Sequence, residues 1–203
     1  MDPLVPLSQI NLLNLIFTST QNQTLENILI IIVLILLSAF FSMSETVFST
    51  CNKVRLKIKA EDGNRHAKLA MKIIDNYDKS LITILIGNNI VNLTSSSLAT
   101  LVAISLIPNE GVASLVSSII TTLIVLFFGE VFPKNIGKAN SDKLCLFLSY
   151  PIRFLMIIFT PISIIFYGIT ILIKKIFGSR ESEPEMTEDD LQNIVEAIEE
   201  EGV

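Results

Sequence analysis

An all-α membrane protein that crosses the bilayer three times is what the sequence predicts, and three observations carry that expectation. Half of the 203 residues are hydrophobic and only 17% are charged, with a mean hydropathy of +0.60, which places the chain among helical membrane proteins. Apolar runs recur at the length of about 20 residues that a helix needs to span a bilayer. The 15 Lys and Arg gather in or near the segments that the positive-inside rule assigns to the cytoplasm. The net charge of -5 hides this asymmetry, because half of the 20 acids fall between Glu181 and Glu201. No nucleic-acid surface is implied.

The first crossing is Leu25 to Thr50, uniformly apolar as far as Leu37 and then small and polar through Ser38-Ala39-Phe40-Phe41-Ser42-Met43-Ser44-Glu45. Ser38 and Ser42 lie one turn apart on one face, a pattern that helix packing alone also explains. Asn52 to Ser80 carries Lys53, Arg55, Lys57, Lys59, Arg65, Lys68, Lys72 and Lys79 and is therefore cytoplasmic. Its apolar positions, among them Val54, Ile58, Leu69, Ile73 and Ile74, predict two short amphipathic helices parted at Asp62-Gly63-Asn64 and lying on the membrane surface. Anionic lipid is the simplest partner for that charge.

The second crossing, Leu81 to Ile107, contains Gly87-Asn88-Asn89-Ile90-Val91-Asn92 and then Thr94-Ser95-Ser96-Ser97. Asn88 and Asn92 share a face while Asn89 points elsewhere, and the small residues after them read as a close helix contact. Pro108 to Gly111 is a turn without Lys or Arg, as an external loop should be. Val112 to Pro133 returns to the inside.

Leu144 to Ile173 is apolar as well, yet a simple crossing would put Lys174, Lys175 and Arg180 outside, against the charge bias. Arg153 lies in it, and Pro151 and Pro161 each interrupt a helix. Broken helices that return to the cytoplasmic face are expected. Ser179 to Val203 turns acidic, and Thr187-Glu188-Asp189-Asp190 resembles a capping box ahead of Leu191, Ile194, Val195 and Ile198. The expected organisation is an extracellular segment over 1–24, a transmembrane ion-transport domain over 25–178, and the start of a cytoplasmic acidic helical linker over 179–203. The last looks cut from a longer protein.

Within the third crossing, Phe127-Phe128-Gly129-Glu130-Val131-Phe132-Pro133-Lys134 puts a carboxylate and a proline at the end of an uncharged helix. Proline has no N–H, so the Gly129 carbonyl loses its helical partner beside an ionisable group. Such groups at membrane depth usually face a protein interior or a wet cavity and handle ions. The plainer alternative is a Glu that snorkels to the headgroups near Lys134, with the proline as a helix stop.

On this topology the polar clusters fall in one leaflet. Ser38, Ser42, Asn88, Asn92, Glu130 and the Gly129 carbonyl can supply about six oxygens, which suits octahedral Mg²⁺ better than the looser shell of Ca²⁺. Sulfur and imidazole are absent from the set. Elsewhere His66 is placed in a polar loop without partners, which argues against zinc. Cys51 and Cys145 lie near the cytoplasmic side, where free thiols are expected. Met1 to Gln23 has no Lys or Arg and does not read as a signal peptide. Neither a His-Glu-x-x-His helix nor a pair of membrane aspartates is present, so an intramembrane protease is not implied.

Three ordered stretches, Ser38 to Glu45, Gly87 to Asn92 and Phe128 to Lys134, together with Met186-Thr187-Glu188-Asp189-Asp190, resemble the transmembrane domain of the cyclin M and CorC magnesium transporters. The resemblance covers about Leu25 to Val203. It implies a homodimer in the cell membrane whose protomers each carry three spanning helices and a kinked juxtamembrane belt helix. It also implies export of dehydrated Mg²⁺ in exchange for Na⁺, and cytoplasmic CBS domains that bind nucleotide and are not in this chain. The N-terminus is expected outside and the C-terminus inside. A Mg²⁺ sensor or accessory subunit of another transporter is the rival expectation.

Overall fold

A computed structural model of the chain describes the backbone of residues 7–177 and the side chains of residues 23–166, 168 and 169. The acidic stretch with its capping box at Thr187 lies outside the described residues. Every element among the described residues is helical: α1 (Leu7–Thr50), α2 (Lys53–Glu61), α3 (Arg65–Asp75), α4 (Tyr77–Leu106), α5 (Glu110–Ile124), a π-helical turn (Val125–Val131), α6 (Phe132–Ala139) and α7 (Ser141–Phe177). Contacts divide the chain into two units, residues 1–163 and 164–203. In the second, the helix continues through Phe177.

The short helices begin where asparagines can cap them. Asn52 Oδ1 accepts from the Arg55 N–H at 3.0 Å, Asn64 Oδ1 from the Ala67 N–H at 3.1 Å, and Asn109 Oδ1 from the Val112 N–H at 3.1 Å. Each satisfies one of the donors that a helix start leaves over. The turn between α2 and α3 needs Gly63, whose φ of 92° few side chains tolerate. The expected break at Asp62-Gly63-Asn64 is therefore where the chain turns. On α3 the buried residues are Ala67, Ala70, Ile73 and Ile74, the three-and-four spacing of a helix that docks one face.

The apolar core sits at the basic end of the bundle. Phe41, Val47 and Phe48 of α1 meet Leu56 of α2, Ile73 of α3, Ile84 of α4 and Leu148 and Ile152 of α7. Away from that end the outer faces stay greasy: Leu29, Leu36, Leu93 and Phe128 are all more than 60% exposed. Apolar surface on that scale fits hydrocarbon rather than water. Among the described residues four helical stretches are long and apolar enough to cross a membrane: Gln23–Thr50, Tyr77–Leu106, Glu110–Ala139 and Ser141–Phe166.

Three expectations are corrected. Pro151 and Pro161 lie inside an unbroken α7 rather than between helix fragments. Each proline costs the helix one donor, to the carbonyl of Phe147 or of Ile157 four residues back, and one missing bond does not end a helix of this length. Pro133 does not stop its helix either: it stands in the first turn of α6, which continues from the π-turn before it. His66 is not in a loop without partners. It opens α3, with Nδ1 3.1 Å from the Leu146 carbonyl oxygen and its ring edge-on to Tyr150. Cys51 and Cys145 are free, buried, and have sulfurs 3.3 Å apart.

Candidate cation site

Three elements converge at Ser38, in the C-terminal half of α1. Ser38 is buried there and donates to Asn88 Oδ1 of α4 at 3.1 Å, with the Gly129 carbonyl of the π-turn 3.5 Å away. Asn92, one turn along α4, gives its Nδ2 hydrogen to the same Asn88 oxygen at 3.4 Å. Ser38, Asn88, Asn92 and Gly129 are thus brought into one cluster, while Asn89 is exposed, as its phase on the helix requires.

The close approach of α1 to the π-turn depends on Gly129. A Cβ there would stand 2.8 Å from Ser38 Oγ, closer than packed atoms tolerate. The π-turn itself widens the helix by one residue per turn, and such turns recur at functional sites. It also enlarges the effect of Pro133. With no N–H, Pro133 cannot serve Gly129 four residues back or, in the π register, Phe128 five back. The π register is visible where the Phe132 N–H bonds the Phe127 carbonyl.

Ser42, one turn from Ser38 on α1 and not bonded to that cluster, is the most informative of the expected donors. It is fully buried, yet its hydroxyl has no hydrogen-bond partner, and neither does Asn92 Oδ1. A buried polar atom left unmatched costs about 1–3 kcal/mol, so these two oxygens, and that of Ser95 on α4, which is unmatched as well, need a reason. A cation would supply one.

Glu130 is held differently. Its carboxylate pairs with Lys134 Nζ at 3.2 Å, and the same ammonium reaches Glu45 Oε2 at 3.2 Å. The three side chains are 29–44% exposed, so the pairing is worth no more than about 1 kcal/mol. Glu130 also lines a cavity of about 220 Å³ together with Asn92. Its carboxylate is thus paired with an ammonium on one side and shares a cavity wall with Asn92 on the other. Among the described residues no group of three His, Cys, Asp or Glu is placed to hold a metal. The donors here are hydroxyl, amide and carbonyl oxygens with one carboxylate, the ligand chemistry of a hard cation.

Sequence reasoning missed the ammonium bridge to Glu45 and the polar wall formed by Ser96, Thr121 and Thr122. Paired hydroxyls inside an apolar run were the available signal for the wall. Nothing in the sequence marks the π-turn.

A family model described as the cyclin M transmembrane N-terminal domain matches residues 29–203. A UPF0053 protein of Haemophilus influenzae is 38% identical over 134 residues, 66% of this chain and 31% of that protein. The UPF0053 inner membrane protein YfjD of Escherichia coli is 36% identical over 142 residues, 70% of this chain and 33% of its own length. A polyamine export protein of Escherichia coli is 29% identical over 187 residues, 85% of this chain and 41% of that protein. The chain thus spans about a third of the length of the first two relatives.

Proposed function

The chain belongs to the cyclin M transmembrane domain family, and from that premise we propose that it exports dehydrated Mg²⁺ from the cytoplasm in exchange for Na⁺. The site is the cage of Ser38, Ser42, Asn88, Asn92, Glu130 and the Gly129 carbonyl. The observation that carries this reading is the buried, unmatched Ser42 hydroxyl, one turn from Ser38 on an all-oxygen face. A bound cation would satisfy it together with Asn92 Oδ1. A single carboxylate against a divalent ion leaves a net positive charge, which suits an ion that must be released again. Glu130 serves as the anion that offsets dehydration, and Lys134 neutralises it when the cage is empty.

The working unit in this proposal is a homodimer of protomers with three crossings, N-terminus outside and C-terminus inside. α7 is then a belt along the cytoplasmic leaflet, so that Lys174 and Lys175 remain inside. Residues 1–24 are the extracellular segment, 25–178 the transport domain and 179–203 the start of the cytoplasmic linker. Nucleotide regulation belongs to domains outside this chain. A role as Mg²⁺ sensor differs from transport only in giving no flux.

A second reading, export of an organic polycation, is favoured by one observation. An ammonium group, that of Lys134, already sits between Glu45 and Glu130, and a relative carries the name of a polyamine exporter. Flux of Mg²⁺ from proteoliposomes, with and without spermidine, decides. Mg²⁺ flux driven by an opposing Na⁺ gradient supports the first reading; spermidine flux without Mg²⁺ flux supports the second.

A further inference from the structure

The cage accounts for a bare ion but not for where that ion regains its water. Mg²⁺ gives up its hydration shell reluctantly and usually keeps several waters. Release from a dry site therefore calls for a wet space beside it. The cavity beside Asn92 and Glu130 offers one, apolar where Val125 and Leu126 line it and polar elsewhere. Its polar wall is completed by Ser96 of α4 and by Thr121 and Thr122 of α5, none of which belongs to the cage. It measures about 220 Å³, and at roughly 30 Å³ per water this is room for about seven waters, close to one ion with six. Its place is also right. Ser96 lies eight residues beyond Asn88 on α4, about 12 Å along the helix at 1.5 Å per residue, away from the basic helices α2 and α3. Hydroxyls suit an outer-sphere role, because their oxygens accept hydrogen bonds from coordinated water without stripping it.

We propose that this cavity is a hydration vestibule, which binds a divalent cation as its aqua complex through Ser96, Thr121 and Thr122 on the far side of the cage. It rests on the reading of Ser42, Asn88 and Glu130 as a dry site. Asn92 and Glu130 stand at the boundary and face both spaces, so an ion passing between them exchanges amide and carboxylate oxygens for water one at a time.

Hexamminecobalt(III) separates the two sites. Its ammine shell has the size and donor pattern of a hexaaqua ion and does not come off, so it can enter the vestibule and not the cage. Equilibrium dialysis of the full chain in detergent, read by cobalt analysis, measures its binding, and isothermal titration measures Mg²⁺. The wild type should bind hexamminecobalt(III). Thr121→Val with Thr122→Val should weaken that binding about tenfold, or 1.4 kcal/mol, with Mg²⁺ affinity changed less than about twofold. Ser96→Ala, a smaller change, should weaken it severalfold and covers the case in which the double variant fails size exclusion. Asn88→Ala should do the reverse, losing Mg²⁺ while keeping hexamminecobalt(III). No binding of the ammine complex by the wild type, or equal binding by the threonine and serine variants, would overturn the vestibule. A parallel loss of Mg²⁺ affinity in those variants would overturn it too, by making the hydroxyls part of the cage. If Asn88→Ala leaves Mg²⁺ binding intact while the vestibule variants lose the ammine complex, the dry-site reading fails and the vestibule does not.

Discussion

The crossing of α1 with α4 and the π-turn, and the packed end where α1 meets α2, α3 and α7, are built on opposite principles. At the basic end every short helix has an asparagine cap or a docked apolar face, and Val47, Ile73 and Ile152 are completely buried. At the crossing the buried groups are serines and asparagines. Three of their oxygens, Ser42 Oγ, Asn92 Oδ1 and Ser95 Oγ, have no partner, and the helix leaves its ordinary register. One region gives the fold its stability, and the other spends some of it. A ligand-binding site is where such local inconsistency is expected.

Changes to the two regions should therefore have different effects. The largest contrast is at Glu130. Glu130→Gln keeps the shape and removes the charge, and should abolish Mg²⁺ flux in proteoliposomes while size exclusion shows an unchanged assembly. Near-normal flux would reduce Glu130 to a surface partner of Lys134, an interaction of no more than about 1 kcal/mol. At the packed end, Ile73→Ala should do the opposite, destabilising the fold by about 2–5 kcal/mol and leaving the Mg²⁺ affinity of the folded fraction unchanged. Thermal unfolding followed by circular dichroism, alongside Mg²⁺ titration, reads both. A loss of affinity matching the loss of stability would erase the distinction between the regions.

Within the crossing, Asn88→Ala and Asn92→Ala should each weaken Mg²⁺ binding by at least about tenfold, or 1.4 kcal/mol, and the exposed Asn89→Ala far less. Equal losses at all three would mean that the asparagines act through helix packing. Smallest of all should be the cap at the packed end. Asn64→Ala removes the bond to the Ala67 N–H and should lower stability by about 1 kcal/mol, with no effect on titration.

How far the sequence revealed each region follows from what sets it. Periodicity separates Asn89 from Asn88 and Asn92, because a helix fixes the phase of every side chain along it. It likewise put Ile73 and Ile74 on the apolar face of α3, but that face docks in the protein core with Ala67 and Ala70 rather than on the membrane surface. Contacts between helices have no such local record. That Lys134 would reach Glu45 on α1 as well as Glu130 on its own helix, or that Cys51 and Cys145 would touch, depends on how the helices pack. His66 was misplaced for the same reason, since its partner Leu146 is 80 residues away. The π-turn escaped because one added residue in a helical turn leaves the apolar pattern intact. Pro151 and Pro161 misled because proline was read as a break, where a membrane helix can absorb it.

The measurement closest to the central claim is on Ser42, read two ways in the same variant. Ser42→Ala removes a buried hydroxyl that has no hydrogen-bond partner, so in Mg²⁺-free buffer the unfolding temperature should rise or hold, because no unmatched group remains to penalise the fold. In the same preparation isothermal titration should show Mg²⁺ affinity reduced by about tenfold or more, the loss of one ligand oxygen to a small ion. A fall in unfolding temperature with unchanged Mg²⁺ affinity would contradict the account, since Ser42 would then be an ordinary packing residue.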